Sequence, residues 1–454
     1  MAGGIYMERV REWLKQPYGK KLRKLHAWNA GIVLILAITG IILPIEAIRG
    51  DLGVVRVWLK QIHIYAGILS VLVILLYLPL LAKHLKQLKG KLPQQWNLGI
   101  VLFILLGWSV SGLIMWQYRN LPTYWSNTAV TFHDLFSWVG IPYALYHSIS
   151  RSRWLRQEEV LERREAMLAA KLSVKGTSSA SDASQTAASS LTAYGKSEVP
   201  TAAPDDIGYQ PRRYSRRTFI RGSVFTVMVL VIGPYLYRFV KRVFDSGGAS
   251  LEEFAVSDGN RMVPALIPTE ESVKLAAGGA RGTFRVYSVT PIPSFSSDDW
   301  EFSVYGLVNK PVKYNWADFS KITRKVQVSD FHCVTGWSVY NGTWEGIPLS
   351  QLLNTVQVKS TAKIVKFYSG DGVYTDTLTI KQAWMDDILV AVMFDGKPIP
   401  QKLGGPVRLL VPQMYAYKSV KWLSSIELIN KDHIGYWEAR GYDTDAWVGA
   451  KGKT

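Results

Sequence analysis

The sequence Asp330-Phe-His-Cys-Val-Thr-Gly-Trp-Ser-Val-Tyr-Asn-Gly-Thr-Trp-Glu-Gly-Ile-Pro-Leu349 contains the single cysteine of the 454-residue chain, Cys333. Val326 and Val328 alternate with polar residues just before it, which predicts a short strand. The glycines, Asn341 and Pro348 that follow predict irregular turns. A lone cysteine usually packs as a small apolar side chain. A thiolate where a strand meets loops is also a good ligand for a soft metal, and we favour that interpretation here.

Two later blocks stand out, and the first of them, at 404–423, carries groups that bind phosphate. Gly404-Gly-Pro-Val-Arg-Leu-Leu-Val-Pro412 leads into Tyr415-Ala-Tyr-Lys-Ser-Val-Lys-Trp-Leu423, and Gly435-Tyr-Trp-Glu-Ala-Arg-Gly-Tyr442 follows. A phosphate group requires fixed cations and backbone N–H donors, and the segment Tyr415–Leu423 supplies both within a short stretch. Alone, these basic residues would indicate only a solvated surface, but their combination with Cys333 favours phosphate binding.

The three blocks together resemble the sulfite oxidase family, and within it the branch of the periplasmic protein-methionine-sulfoxide reductase catalytic subunit, over about residues 283–447. The resemblance implies a molybdenum–molybdopterin cofactor, with Cys333 as catalytic residue and molybdenum ligand. Leu403 stands where the reductase branch has an asparagine, so one cofactor hydrogen bond of that branch is missing. The residues that the resemblance and the phosphate chemistry assign to cofactor binding are Ser369, Arg408, Lys418, Ser419, Val420 and Lys421.

Length and composition predict more than one domain and a membrane location. The chain is 48% hydrophobic and carries 53 Lys and Arg against 35 Asp and Glu, a formal net charge of +18. Such a charge would suit a nucleic-acid partner, but the basic residues cluster beside long apolar runs and no nucleic-acid motif accompanies them. We therefore predict contact with membrane lipid and no nucleic acid.

Four apolar runs, at about 25–48, 58–82, 98–118 and 130–149, are each near the roughly 20 residues that cross a bilayer. If all four span, the basic-rich segments fall on one side, as the positive-inside rule requires. The sequence thus predicts a cytoplasmic N-terminus at 1–24 and an all-α transmembrane four-helix bundle at 25–150, with both ends of the bundle cytoplasmic.

Histidines in these runs predict haem sites. His133 and His147 are fourteen positions apart on the fourth run, which puts them on one helix face and roughly 21 Å apart. By depth, His26 pairs with His147 near the inner surface and His63 with His133 near the outer one. The pattern resembles the bacterial four-helix di-haem cytochrome b family and implies two haem b groups with these ligands. The alternative role for these histidines is hydrogen bonding between helices. His84 is predicted to lie at the membrane interface, or else to replace His26 as a haem ligand.

The middle of the chain predicts a linker and an export signal. Residues 151–213 form a cytoplasmic linker, rich in Ser, Ala and Thr from about 173 to 204. Tyr214-Ser-Arg-Arg-Thr-Phe-Ile-Arg221 resembles a twin-arginine signal, and residues 214–242 include a fifth transmembrane helix that stays as an anchor. Ordinary positive-inside anchoring is the other interpretation of these arginines. Residues 243–282 are a connector without a recognisable role.

Residues 283–454 predict a β-rich α+β domain outside the cytoplasm. Leu349 to Val356 has a helical pattern. The predicted strands are 284–289, 300–308, 364–368, 373–380, 389–394, 407–411 and 420–429.

These parts predict a molybdopterin-dependent oxidoreductase in a bacterial or archaeal cytoplasmic membrane, fused to a cytochrome b. Electrons pass between quinol, two haems and molybdenum, and the enzyme reduces a small S-oxide or N-oxide or an oxidised envelope protein. Sulfite dehydrogenation toward quinone is the alternative. Sulfite, a dianion, needs several arginines, and the motifs offer mainly Arg408 and Arg440. A third hypothesis is a non-catalytic envelope interaction module on a cytochrome anchor.

Overall fold

A computed structural model describes residues 17–43, 49–150, 251–255 and 258–449, with isolated positions between these ranges. The predicted twin-arginine motif and linker lie outside the described residues, apart from such isolated positions. The contacts divide the chain into two compact units. One unit joins Met1–Ser137 with Arg238–Thr454, and the other is Trp138–Tyr237.

Four long helices precede the β-rich part: α1 (Tyr18–Ile42), α2 (Arg49–Gln87), α3 (Leu92–Trp116) and α4 (Thr123–Ser150). Three segments are long and apolar enough to cross a membrane, namely Tyr18–Ile42, Val55–Gln87 and Leu92–Trp116. The helix α4 covers the fourth apolar run but is not among them in the described part of the chain, since Asp134, two histidines and several hydroxyl side chains lower its mean hydropathy.

Polar contacts join neighbouring long helices, whose outer surfaces are apolar. Ser70 of α2 donates to Asn29 of α1 at 3.0 Å, and Trp108 of α3 donates to Ser137 of α4 at 3.1 Å. Large apolar side chains on these helices are exposed, for example Phe103 at 66%. An exposed apolar surface on long helices is typical of a lipid-facing surface.

The C-terminal part contains two sheets. The short helices are α5 (Leu251–Ala255), α6 (Glu270–Val273), α7 (Trp316–Phe319), α8 (Leu349–Val356) and α9 (Ile380–Ala383). The strands are β1 (Glu301–Gly306), β2 (Val312–Asn315), β3 (Lys325–His332), β4 (Ser338–Pro348), β5 (Ile364–Ser369), β6 (Thr375–Thr379), β7 (Leu389–Phe394), β8 (Lys397–Pro398), β9 (Arg408–Leu410) and β10 (Leu423–Ile429).

One sheet has the order β2-β1-β10-β5-β6, in which β1 and β10 are parallel. The other has the order β3-β4-β7-β8, and β9 also pairs with β7. The helix α8 buries Leu349, Leu352, Leu353 and Val356, an i, i+3, i+4, i+7 stripe that faces the core. This β-rich α+β architecture agrees with the sequence prediction.

Two local predictions were wrong. Residues 284–289, predicted as a strand, have no regular secondary structure. Residues 338–348, predicted as irregular turns, form the eleven-residue strand β4. The glycines there serve close packing rather than turns, because a Cβ on Gly342 would lie 2.4 Å from Phe394 and one on Gly346 would lie 2.5 Å from the carbonyl oxygen of Val390.

Candidate active site

The cysteine lies in the tight connection between β3 and β4. The N–H of Cys333 donates to the carbonyl of Trp337, and the N–H of Gly336 donates to the carbonyl of Cys333, both at 2.9 Å. Gly336 has φ +99°, a conformation that only glycine adopts readily. The connection therefore holds the thiol at the end of a strand, as the sequence predicts.

Cys333 faces a cavity that is open to solvent and bounded by three segments of the chain. The loop at 284–289, the β3–β4 connection and the segment at 416–422 surround it. Two donors on its lining, Trp337 Nε1 and Arg56 Nε, are buried without a hydrogen-bond partner among the described residues. Buried donors are normally paired, so these two indicate that the cavity receives a polar ligand.

Opposing effects act on the thiol. Burial raises the pKa of Cys333, whereas hydrogen bonds from Thr335 and the positive charges of Arg285 and Arg56 lower it. The hydroxyl of Thr335 lies 3.3 Å from the sulfur. The cations favour the thiolate form that binds metals.

Four of the six predicted cofactor-binding residues line the same cavity: Ser369, Arg408, Ser419 and Lys421. Arg408 is 2% exposed and donates to the carbonyls of Leu403 at 2.6 Å and Ser419 at 3.2 Å. Burial lowers the pKa of its guanidinium, and no carboxylate among the described residues forms an ion pair with it. A buried cation without a carboxylate needs an anionic ligand, which a phosphate provides.

The other two predicted residues, Val420 and Lys418, do not line the cavity. Lys418 Nζ donates to Asp376 at 2.9 Å, to the carbonyl of Thr377 at 3.0 Å and to Glu438. All three donors of the ammonium are therefore occupied. Val420 is 1% exposed and packs in the core.

The structure brings two further arginines to the cavity, Arg56 and Arg285, and sequence reasoning missed both. The cavity therefore contains several arginines, so the predicted shortage of arginines does not argue against sulfite as a substrate. A signal for Arg56 existed, because Arg49, Arg56 and Lys60 are basic residues at the predicted outer end of a membrane helix, where the positive-inside rule expects few.

The helix α4 packs directly on the loops of this site. Asp134 of α4 forms an ion pair with Arg285 at 2.5 Å, and the side chain of Asn127 accepts from the N–H of Ser338 at 3.1 Å. A Cβ on Gly336 would lie 2.7 Å from Val130 of α4. The connection that carries Cys333 is thus also a contact surface for α4.

A second polar site lies between the helices. The rings of His63 and His133 have their centroids 6.2 Å apart at an interplanar angle of 73°. The Nδ1 atom of His63 is 2.8 Å from the hydroxyl of Thr39, and that of His133 is 2.9 Å from the hydroxyl of Ser111. The structure therefore brings together the predicted outer pair and engages one nitrogen of each ring.

The predicted inner ligands, His26 and His147, belong to different units, and their pairing stays a prediction. The ring of His147 lies 6.5 Å from that of Tyr143. His84 contacts the hydroxyl of Tyr77 through Nδ1 at 2.8 Å, a local contact in α2.

The residues of the cavity fit a molybdenum–molybdopterin cofactor. No cluster of three or more metal-ligating side chains occurs in the described ranges, so a metal here would need ligands beyond the protein. Molybdopterin brings two sulfurs of its own, and Cys333 adds a thiolate. The donors Trp337 Nε1 and Arg56 Nε suit the polar parts of such a group, and the cations Arg408 and Lys421 suit its anionic part.

Comparison with known proteins gives the same assignment. Residues 289–437 match the family model of the oxidoreductase molybdopterin-binding domain. The uncharacterized oxidoreductase YuiH of Bacillus subtilis (strain 168) is 31% identical over 168 residues, which are 36% of this chain and 84% of that protein.

Two reductase-related proteins are also similar. The putative protein-methionine-sulfoxide reductase subunit YedZ1 of Azospira oryzae is 28% identical over 36% of this chain and 60% of its own length. The protein-methionine-sulfoxide reductase catalytic subunit MsrP of Ralstonia nicotianae is 29% identical over 30% of this chain and 46% of its own length. The chain thus spans only part of these reductases. From the coverage of YuiH and the family-model match, the chain belongs to the oxidoreductases with a molybdopterin-binding domain.

Proposed function

We propose that this protein is a membrane-bound molybdenum-cofactor oxidoreductase that uses electrons from quinol, through two b haems, to reduce S-oxides or N-oxides such as methionine sulfoxide. One observation carries the proposal. The cavity of Cys333 and the histidine pair His63 and His133 lie in the same compact unit, joined by the Asp134–Arg285 ion pair. The similarity to methionine-sulfoxide reductases supports the choice of substrate.

When bound, the molybdenum cofactor supplies oxygen-atom transfer and the haems supply single electrons. Cys333 would ligate the metal. Arg408, Ser419, Ser369 and Lys421 would hold the pterin and its phosphate. Reduction of an S-oxide consumes two electrons and two protons and gives a thioether and water.

His63 and His133 would hold the iron of one haem b, which would supply single-electron transfer there. Their rings lie close together, with centroids 6.2 Å apart. Thr39 and Ser111 engage Nδ1 of each ring, which orients the ring and leaves Nε2 for the metal. His26 and His147 are proposed as ligands of the second haem.

The remaining topology is also part of the proposal. A four-helix bundle at 25–150, the linker at 151–213 and a fifth helix at 214–242 would hold the domain at 283–454 outside a bacterial or archaeal cytoplasmic membrane. The twin-arginine machinery would export that domain after its cofactor is inserted. Membrane lipid and quinone are then partners, and an oxidised envelope protein is a candidate substrate.

Haem absorbance tests the circuit in detergent-solubilised protein. We expect methionine sulfoxide to reoxidise chemically reduced haems without oxygen, and Cys333→Ser to abolish this reaction. Cys333→Ser should keep its haem spectrum, which controls for loss of the membrane part. A response that persists in Cys333→Ser would refute the proposal.

Sulfite dehydrogenation is the second candidate, favoured by one observation. Arg56 and Arg285 add two cations to the cavity, and a dianion binds best among several arginines. Haem reduction after sulfite is added to the oxidised protein would establish this direction. The non-catalytic module requires protein without molybdenum, so elemental analysis near one molybdenum per chain would exclude it.

A further inference from the structure

Arg56 is unusual because it belongs to the membrane helix α2 and yet lines the cavity of Cys333. We infer that Arg56 is a substrate-binding residue that the membrane part supplies to the molybdenum pocket, and that it binds the polarised oxygen of a sulfur–oxygen bond. The inference rests on the proposed function and deepens it.

The surroundings of Arg56 leave a donor free for a ligand. Its guanidinium lies over the rings of Tyr287 at 5.6 Å and Trp437 at 5.5 Å from their centroids. Ring faces attract the charge but do not accept the in-plane N–H bonds. The Nε atom is buried without a hydrogen-bond partner, and no carboxylate in the described ranges forms an ion pair with Arg56.

Neighbouring contacts fix α2 against the site. Lys60, one turn after Arg56, places its ammonium 5.4 Å from the ring centre of Tyr442. A Cβ on Gly441 would lie 3.9 Å from Val57. A donor that is already held in place loses little freedom when it binds, which is how preorganised sites recognise a polar oxygen.

The other cations of the cavity are less available to a substrate, because Arg285 has a carboxylate partner and Arg408 and Lys421 are proposed to hold the cofactor phosphate. Arg285 is paired with Asp134, Arg408 donates to two carbonyls, and Lys421 donates to the carbonyls of Tyr287 and Lys402. Arg56 is therefore the cation best placed to meet a substrate oxygen beside the metal.

Two kinds of molecule carry a polarised oxygen on sulfur, a neutral sulfoxide and an anionic sulfur oxyanion. The test uses dimethyl sulfoxide and sulfate as probes of the oxidised holoenzyme, which binds them without turnover. Calorimetry gives the dissociation constants for wild type, Arg56→Ala and Arg56→Lys. Lys313→Ala is the control, because Lys313 forms an exposed ion pair with Glu301.

Loss of a charged hydrogen bond weakens binding by about ten- to a hundred-fold. We expect Arg56→Ala to weaken the binding of one probe by that factor. Arg56→Lys should weaken its binding less, and Lys313→Ala should leave its binding unchanged. KM for the matching substrate, methionine sulfoxide or sulfite, should rise by a similar factor with haem and molybdenum contents unchanged.

Three results overturn the inference. The first is that Arg56→Ala binds both probes as tightly as the wild type does. The second is that KM does not change in Arg56→Ala, and the third is that the wild type binds neither probe. A loss of molybdenum in Arg56→Ala with normal haem would mean that Arg56 binds the cofactor instead. Failure of the proposed function looks different, since the wild type would then show no haem response to methionine sulfoxide or to sulfite.

Discussion

Lys418 was predicted to bind phosphate, but its contacts indicate a structural role. We therefore expect Lys418→Met to destabilise the molybdopterin domain. The ammonium is 4% exposed and forms ion pairs with Asp376 and Glu438, whose side chains are 0% and 2% exposed. Removing the cation leaves two carboxylates buried without their partner. Breaking a buried ion pair in this way costs about 3–5 kcal/mol.

That loss of stability should lower the unfolding midpoint of the domain by about 6–20 °C, since each kcal/mol shifts a domain of this size by about 2–4 °C. The assay is thermal unfolding of the solubilised protein, followed by tryptophan fluorescence, with molybdenum measured beforehand. Lys421→Met is the matched control, because Lys421 lines the cavity and should lose molybdenum with a much smaller change in midpoint.

A Lys418→Met protein that unfolds within about 2 °C of wild type but lacks molybdenum would refute this reasoning. The phosphate role predicted from the sequence would then apply to Lys418 after all. Removing one carboxylate with Asp376→Asn in the Lys418→Met background should recover part of the lost midpoint, because only Glu438 is then left without its cation.

Three more predictions follow from the described contacts. His63→Ala and His133→Ala should each remove the same haem, leaving about half of the wild-type haem per chain by pyridine haemochrome assay. Gly336→Ala should slow haem reoxidation, because its Cβ would lie 2.7 Å from Val130, whereas Gly372→Ala, also at positive φ but in open space, should not. Burial raises the pKa of Asp376 to about 6, which is above the value in the unfolded chain. Protonated Asp376 therefore stabilises the fold, and this contribution should be lost as pH rises from 4 to 7. The unfolding midpoint should report this loss in the wild type, and Asp376→Asn should lack it.

Much of the β-rich domain follows from local sequence. The strand at 389–394 and the helix at 349–356 have the predicted bounds, because apolar content and helical periodicity are local signals. The strand at 338–348 escaped prediction because its glycines reflect close packing against β7 rather than turns. Packing between distant segments cannot be read from spacing along the chain.

The same limit applies to the site. Cys333, Arg408, Ser419 and Lys421 could be predicted because they lie in short blocks with a recognisable pattern. Arg56 and Lys418 could not be placed, since the first comes from a distant helix and the second turns away to two carboxylates. Residue type and spacing indicated a cation at both positions but not which anion it faces.

The contacts between α4 and the β-rich domain suggest what a fused chain gains. A flexible tether alone gives the two parts an effective concentration in the millimolar range without fixing their orientation. Here Asp134, which directly follows His133, holds Arg285 at the rim of the Cys333 cavity, and Asn127 holds Ser338 beside the same connection. In the proposed circuit, electron transfer depends on distance and orientation, so we expect these contacts, rather than the linker, to set its rate.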